Sequence, residues 1–436
     1  MKKGLICICL VLAMLLLSGC TGVIGTVDEL LAPPRPTGEL YFIQKALDDS
    51  VSGDYVLKYP LSGDYRSAFV RKDVDGDGTV EAFAFYSTTS ENIVTMHVNL
   101  ITKLKGEWTS VGDFPCVATG VDTVEFSDMD GDGNFEIVVG WSIYGTVDKS
   151  VGVYSLKNNV FAQRIYESYS RFMCQDIDGD KRNDLFLTHI DTVNQQATAK
   201  FIRINDKGTA EINTCPLDGL VTSHLQPVVS KLMGGEMAIY IDAVKGDGMI
   251  TEVLGLKKGK LYNALENQAV GSTMSTYRAS NAEIMDIDGD GIYEIPLLEL
   301  ITESGNSNDN IYKTYWYAYD GEYLILKNST IMNYADGWYI ELPPKWEDSI
   351  TIIRDTAKRE RIFMRIDDET GISAEVILKI RVVPISTPIE DISSYGFETF
   401  EITRNEEFYF AASVNLMTFP ESVTKQEIIQ MFKLIK

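Results

Sequence analysis

Four stretches of the chain gather oxygen-bearing side chains at one spacing. Numbering the first aspartate of each as position 1, positions 1, 3, 5, 7 and 9 hold Asp73, Asp75, Asp77, Thr79 and Glu81 in loop 1. They hold Asp128, Asp130, Asp132, Asn134 and Glu136 in loop 2, and Asp286, Asp288, Asp290, Ile292 and Glu294 in loop 4. A looser copy, loop 3, has Asp176, Asp178, Asp180, Arg182 and Asp184. Aspartates at alternate positions put like charges within a few ångströms of one another, and such a cluster calls for a counter-ion. Ca²⁺ suits it, because it takes about six to eight oxygen ligands from carboxylates, backbone carbonyls and water. Positions 1, 3, 5 and 9 are expected to supply side-chain ligands and position 7 a carbonyl, with the intervening glycines turning the chain around the ion. Loop 3 carries Lys181 where the others have glycine, and Arg182 adds a second positive charge, so it is expected to bind more weakly or to stay vacant.

A single Asp-Gly loop could be no more than a hairpin turn; four copies at one spacing favour a metal. An EF-hand is excluded, since position 12 holds Ala84, Val139, Leu187 or Leu297 in place of a bidentate glutamate. Each loop is followed by a short apolar run, such as Ala82-Phe83-Ala84-Phe85-Tyr86 or Ile137-Val138-Val139, which reads as a strand buried on both faces. The loops therefore join strands.

About thirty residues beyond each loop's start comes a second turn. The tips are Lys105-Gly106, Asn158-Asn159, Lys207-Gly208, Lys258-Gly259 and Asp320-Gly321, spaced 53, 49, 51 and 62 residues apart. That makes five units, one more than the acidic loops. The fourth keeps its first turn near Met233-Gly234-Gly235-Glu236 but lacks the carboxylates, and no metal is expected there. Gly246-Asp247-Gly248 lies one strand too late and reads as an inter-strand loop. Four strands per unit at a period near fifty match β-propeller blades.

The Asp-x-Asp-Gly-Asp-Gly-x-x-Glu loop after a strand, once per blade, resembles the FG-GAP/VCBS repeats of integrin α-chain propellers and of many bacterial surface proteins. The resemblance covers roughly residues 66–333. It implies a mainly β fold, a β-propeller of about five four-stranded blades with calcium-binding loops. From 334 to 436 the repeat stops, and a small C-terminal α+β domain is expected. Its strands fall at 350–353, 361–366, 374–382, 397–403 and 407–413, and its final helix is capped by Thr424 and Glu427 and carries Ile428, Ile429, Met431, Phe432 and Ile435 on one face.

Ahead of the repeats, Lys2 and Lys3 precede an apolar run to Leu17, and Leu17-Ser18-Gly19-Cys20 resembles a bacterial lipobox. On that resemblance residues 1–19 are a lipoprotein signal peptide and Cys20 is lipidated. Residues 20–38, with Pro33-Pro34-Arg35-Pro36, read as a stiff tether. Residues 39–65 read as a helix and a lead-in strand at Tyr55–Pro60. The whole layout is similar to VCBS-repeat lipoproteins of bacteria.

The chain has a net charge of −24, becoming −26 without Lys2 and Lys3, which gives no electrostatic attraction to nucleic acid. Of six cysteines, Cys7 and Cys9 fall in the leader, and Cys116, Cys174 and Cys215 are expected to be buried thiols with at most one bridge. His97, His189 and His224 fall in no catalytic motif, and the tryptophans are expected to pack cores. No catalytic residues are assigned. The expectation is a non-enzymatic, lipid-anchored extracytoplasmic protein that binds Ca²⁺ and a protein or glycan partner of the cell envelope. The alternatives are a glycan-acting hydrolase, with its site at the propeller axis or domain junction, and a purely structural envelope lipoprotein.

Overall fold

The computed structural model describes residues 38–91, 93–143, 149–205, 208–265, 275–302, 310–366 and 373–435. The leader, Cys20 and nearly all of the tether lie outside them. No helix among the described residues is long and apolar enough to cross a membrane.

The described chain is a succession of antiparallel sheets. The first contains β1 (Tyr55–Leu57), β2 (Phe69–Lys72), β3 (Glu81–Ser90), β4 (Ile93–Leu104) and β5 (Glu107–Cys116), with β1 and β2 sharing one edge of β3. The second is the meander β6 (Gly120–Ser127), β7 (Glu136–Ser142), β8 (Lys149–Lys157) and β9 (Val160–Tyr169). The third repeats it with β10 (Arg171–Gln175), β11 (Asp184–Asp191), β12 (Gln196–Ile204) and β13 (Ala210–Leu217). In the fourth, β14 (Ser223–His224) and β15 (Val228–Lys231) share an edge of β16 (Met237–Lys245), followed by β17 (Gly248–Lys257) and β18 (Lys260–Asn263). The fifth runs β19 (Ile295–Thr302), β20 (Ile311–Tyr319), β21 (Leu324–Asn333) and β22 (Trp338–Glu341).

Four of the five hairpin tips fall where sequence places them, and Lys207 of the remaining one lies outside the described residues. Lys105-Gly106, Asn158-Asn159 and Lys258-Gly259 take positive φ at both residues, as a two-residue turn matched to strand twist requires.

Successive sheets stack face to face, which explains the unbroken apolar runs. On β7, Ile137, Val139 and Trp141 pack with Phe83, Phe85 and Val98 of the first sheet. The intervening Val138 packs on the other side with Leu185 and Leu187 of the third. On β16, Ile239 and Ile241 face the third sheet, while Ala238 and Tyr240 face Ile295 and Tyr319 of the fifth. None of the core clusters formed by described residues joins the last sheets back to the first.

At the N-terminal end, α1 (Glu39–Ser50) lays Ile43, Ala46 and Leu47 on the outer face of the first sheet. Four of the five tryptophans, Trp141, Trp316, Trp338 and Trp346, are fully buried. Cys116, Cys174 and Cys215 are free thiols.

The C-terminal segment forms a sheet of its own and packs it against the fifth. Its sheet, β23 (Ile350–Asp355), β24 (Glu360–Ile366), β25 (Ser373–Pro384), β26 (Phe397–Arg404) and β27 (Phe408–Asn415), shares one core with the fifth sheet. Ile311, Ile331 and Trp338 of the fifth sheet pack there with Ile352, Phe363 and Ile380 of the sixth. The fifth sheet also draws its fourth strand from beyond residue 333.

The final helix, α2 (Lys425–Met431), has its predicted capping box: the Glu427 N–H donates to Thr424 Oγ1 at 3.2 Å and the Thr424 N–H to Glu427 Oε2 at 2.7 Å. It is shorter than expected. Phe432 begins a strand, β28 (Phe432–Leu434), paired with β22. The apolar spacing at 428, 431, 432 and 435 satisfied a helical pattern, but pairing along β22 supplies backbone partners that another helical turn would forgo.

Candidate metal centres

Loop 1 joins β2 to β3, loop 2 β6 to β7, loop 3 β10 to β11, and loop 4 the bridge residue Met285 to β19. All four are built alike. The position-1 carboxylate ties its own loop: Asp73 Oδ1 accepts the Gly76 N–H at 2.8 Å and Oδ2 the Gly78 N–H at 3.1 Å. Asp128, Asp176 and Asp286 repeat both bonds at 2.7–3.1 Å, the second donor being Lys181 in loop 3. The position-3 and position-5 carboxylates each spend Oδ1 on an N–H two residues ahead, as Asp75 does for Asp77 and Asp77 for Thr79. Gly76, Gly131, Gly179 and Gly289 all have positive φ, as does Lys181, which accepts the strain that glycine avoids elsewhere.

The position-9 acid is the clasp. Glu81, Glu136, Asp184 and Glu294 are at most 2% exposed, and each accepts the N–H of position 2, at 3.0, 2.9, 3.0 and 3.0 Å. Burial, then the charges of neighbouring aspartates, pushes Glu136, Asp184 and Glu294 up to about 7, only partly offset by the backbone bond. Glu81 is raised for the same leading reason. Glu294 Oε1 is buried without a hydrogen-bond partner among the described residues.

Three carboxylates converge in each loop, with one oxygen apiece within 4.8 Å of the others. They are Asp73, Asp75 and Glu81 in loop 1, and Asp128, Asp130 and Glu136 in loop 2. In loop 3 they are Asp176, Asp178 and Asp180, and in loop 4 Asp286, Asp288 and Asp290. These groups can hold a metal ion. The hard oxygen set and the orphaned Glu294 oxygen fit a cation of the calcium type. The position-7 residues Thr79, Asn134, Arg182 and Ile292 enter through the backbone, each donating its N–H to the position-5 carboxylate.

Two features were not legible from spacing. First, three loops face a cation from another strand of their own sheet. Lys157 Nζ pairs with Asp130 Oδ2 and lies 2.8 Å from Asp132 Oδ2. Arg203 Nη1 lies 3.0 Å from Asp178 Oδ2, and Lys327 Nζ lies 2.9 Å from Asp290 Oδ2 and 3.4 Å from Asp288 Oδ2. Among the described residues, Asp73, Asp75 and Asp77 of loop 1 have no ion-pair partner; the nearby Lys103 is drawn off to Glu39 of α1 at 2.7 Å.

Second, the loops are stitched from sheet to sheet by the N–H of position 8. Phe135 donates to Val74 O at 2.8 Å, Asn183 to Asp128 O at 3.0 Å, and Tyr293 to Ser230 Oγ at 3.1 Å. An ion that stiffens one loop therefore stiffens the junction with its neighbour.

Outside the loops, His97 is more engaged than sequence suggested. Its Nδ1 lies 2.7 Å from Asp113 Oδ2 and its Nε2 3.0 Å from Thr88 Oγ1, with the ring stacked on Tyr86. These residues come from three adjacent strands and tie β3, β4 and β5 together.

No protein-family model and no curated protein matches the sequence. Among solved structures, rhamnogalacturonan lyase YesW overlaps 73% of this chain and 83% of its own, at 12% identity and a TM-score of 0.29. A Bacillus licheniformis rhamnogalacturonan lyase overlaps 74% and 85%, at 12% identity and a TM-score of 0.30. An exo-β-1,3-galactanase from Clostridium thermocellum overlaps 87% and 98%, at 12% identity and a TM-score of 0.25. Overlap at this level does not identify a common fold.

Proposed function

We propose that this chain is a calcium-held β-propeller of the cell envelope, anchored through lipid on Cys20, whose sheets present binding surfaces to an envelope partner. The observation that carries the calcium reading is the fourfold recurrence of one carboxylate geometry, with each loop sitting at or beside a junction between sheets. Asp73, Asp75, Asp77 and Glu81 would hold one ion, and their counterparts in loops 2 and 4 would hold two more. Loop 3, with Lys181 and Arg182 inside it and Arg203 against it, is the weak member.

The propeller reading is supported by five consecutive antiparallel sheets of one connectivity, each packed on the next through both faces. The sixth sheet continues the stack and takes the place of a further blade. The envelope address rests on the lipobox resemblance, and the acidic loops suit it because extracellular calcium is abundant enough to fill weak sites. An ion that binds only the folded chain stabilises it by about 2.7 kcal/mol at a hundredfold excess over Kd.

Equilibrium dialysis of the purified protein against ⁴⁵Ca²⁺ tests the reading. Three ions per chain are expected, with a fourth weaker site, and Asp75→Asn, Asp130→Asn and Asp288→Asn should each remove one. Fewer than one bound ion per chain at millimolar calcium would refute it.

A further inference from the structure

Away from the acidic loops, the first strands of successive sheets converge on a pocket of about 490 Å³. Its walls come from five separate stretches: Ser62 and Gly63 between β1 and β2, Asp122, Thr123 and Glu125 of β6, Lys149 at the start of β8, Tyr169 to Phe172 from the end of β9 into β10, and Gln226. A second hollow of about 360 Å³ shares Gly63 and Glu125 with it and adds Asp64. The size is that of a small-molecule site.

The walls are assembled rather than incidental. Residues 61 and 62 run along β6, with Leu61 N–H donating to Val121 O at 3.1 Å and Ser62 N–H to Asp122 O at 2.8 Å. Gly63 follows at φ 79°, so close to β6 that a Cβ there would lie 2.6 Å from Thr123 Oγ1. Asp122 Oδ2 is fixed from two sides, by Lys149 Nζ at 2.8 Å and by the Tyr169 hydroxyl, which donates at 2.6 Å. Gln226 Nε2 donates to Phe172 O at 2.9 Å, which orients its amide. The Glu125 carboxyl is half-buried and makes no hydrogen bond to any described residue; burial, then the charge of Asp64, raises its pKa. A carboxyl kept half out of water with no internal partner has capacity left for a ligand.

The chemistry of the lining narrows the ligand. Carboxyl groups at Asp122 and Glu125 alternate with cationic donors at Lys149 and Arg171 and with the Gln226 amide. No single sign of charge dominates, so a phosphate or polyanion meets repulsion from Asp64, Asp122 and Glu125, and a polycation meets Lys149 and Arg171. A purely apolar ligand would leave the Glu125 carboxyl without a partner. A ligand whose own groups both donate and accept at short intervals satisfies them, with the Tyr169 and Phe172 rings as an apolar wall. Those are the properties of a saccharide.

From this convergence we infer that the pocket between residues 62–63, β6, the start of β10 and Gln226 binds an uncharged saccharide of one or two rings. The inference rests on the reading of the chain as a binding protein and names the class of its ligand.

The test uses the full chain with calcium present. Lactose, cellobiose, maltose and their uronic-acid counterparts serve as probes, followed by saturation-transfer NMR and calorimetry. At least one neutral disaccharide should bind at millimolar Kd or better, ahead of its uronic-acid counterpart. Arg171→Ala and Gln226→Ala, both at exposed positions, should each weaken it by about tenfold, while Lys358→Met, outside the lining, should not. Binding by none of the neutral disaccharides at about 20 mM overturns the inference, as does binding that the Arg171 and Gln226 variants leave unchanged. Bound calcium counted on the same samples separates the two readings: saccharide binding without calcium sinks the metal assignment alone, and calcium without saccharide sinks the pocket alone.

Discussion

Replacing Lys157 by methionine should tighten calcium binding at loop 2. The Lys157 ammonium sits on the Oδ2 atoms of Asp130 and Asp132, the oxygens those residues have left after spending Oδ1 on backbone N–H groups. Calcium entering the loop has to take these oxygens from the ammonium. Lys157 is 33% exposed, so each pair contributes about 1 kcal/mol after screening by solvent. Losing both amounts to ~2 kcal/mol, or roughly a 30-fold gain in affinity, and repulsion between the ammonium and the ion acts in the same direction. Methionine preserves most of the stem's contact with the strand. Calorimetric titration is cleanest where Asp75→Asn, Asp178→Asn and Asp288→Asn disable the other loops. An affinity for Ca²⁺ that is unchanged or weaker in the Lys157→Met background would show that the lysine does not compete for the site.

Other consequences follow from buried charge. Glu294→Gln removes a buried, partly unpaired carboxylate; in chelator it should be no less stable than the parent, and in calcium it should hold one ion fewer by dialysis. His224 is buried, and desolvation lowers its pKa from 6.5 to about 4. The fold keeps it neutral while the unfolded chain protonates below 6.5, so its contribution is intact above pH 6.5 and falls by roughly 3 kcal/mol as pH drops to about 4. Denaturant melts should show this part of the pH dependence flattened in His224→Leu. The Arg278 guanidinium and Asp242 carboxylate form an ion pair at 2.8 Å with side chains 0% and 3% exposed. Arg278→Met should therefore cost about 3–5 kcal/mol in chemical unfolding, and a second change, Asp242→Leu, should recover part of it.

The repeat was legible because its signals are local. An Asp-Gly loop, an apolar run and a two-residue turn each declare themselves within ten residues, and together they placed the strand order of five sheets. Residues such as Ile137 and Val138, adjacent and both buried, announced sheets covered on both faces. The strand pairing beyond residue 333 was not legible, because it depends on residues far apart in the chain. Phe432 satisfies a helical pattern as well as a strand, and only the edge of β22, far back in the chain, decides between them. Trp338 looked like the start of something new and is instead the continuation of the fifth sheet. The cations facing the loops were hidden for the same reason: Lys157 and Arg203 lie more than twenty residues from their aspartates and reach them only through strand register. The pocket at Glu125 draws on stretches spread from Ser62 to Gln226, with no shared motif.

The measurement that bears most directly on the account is a thermal melt of the purified protein in millimolar Ca²⁺ and again in chelator. With three good sites at a hundredfold excess over Kd, each worth about 2.7 kcal/mol, the account predicts a large fall in melting temperature when calcium is removed, reversed by adding it back and not by Mg²⁺ at the same concentration. Superimposable melts in calcium and in chelator would contradict it, and would make the four loops acidic turns held by their own backbone bonds.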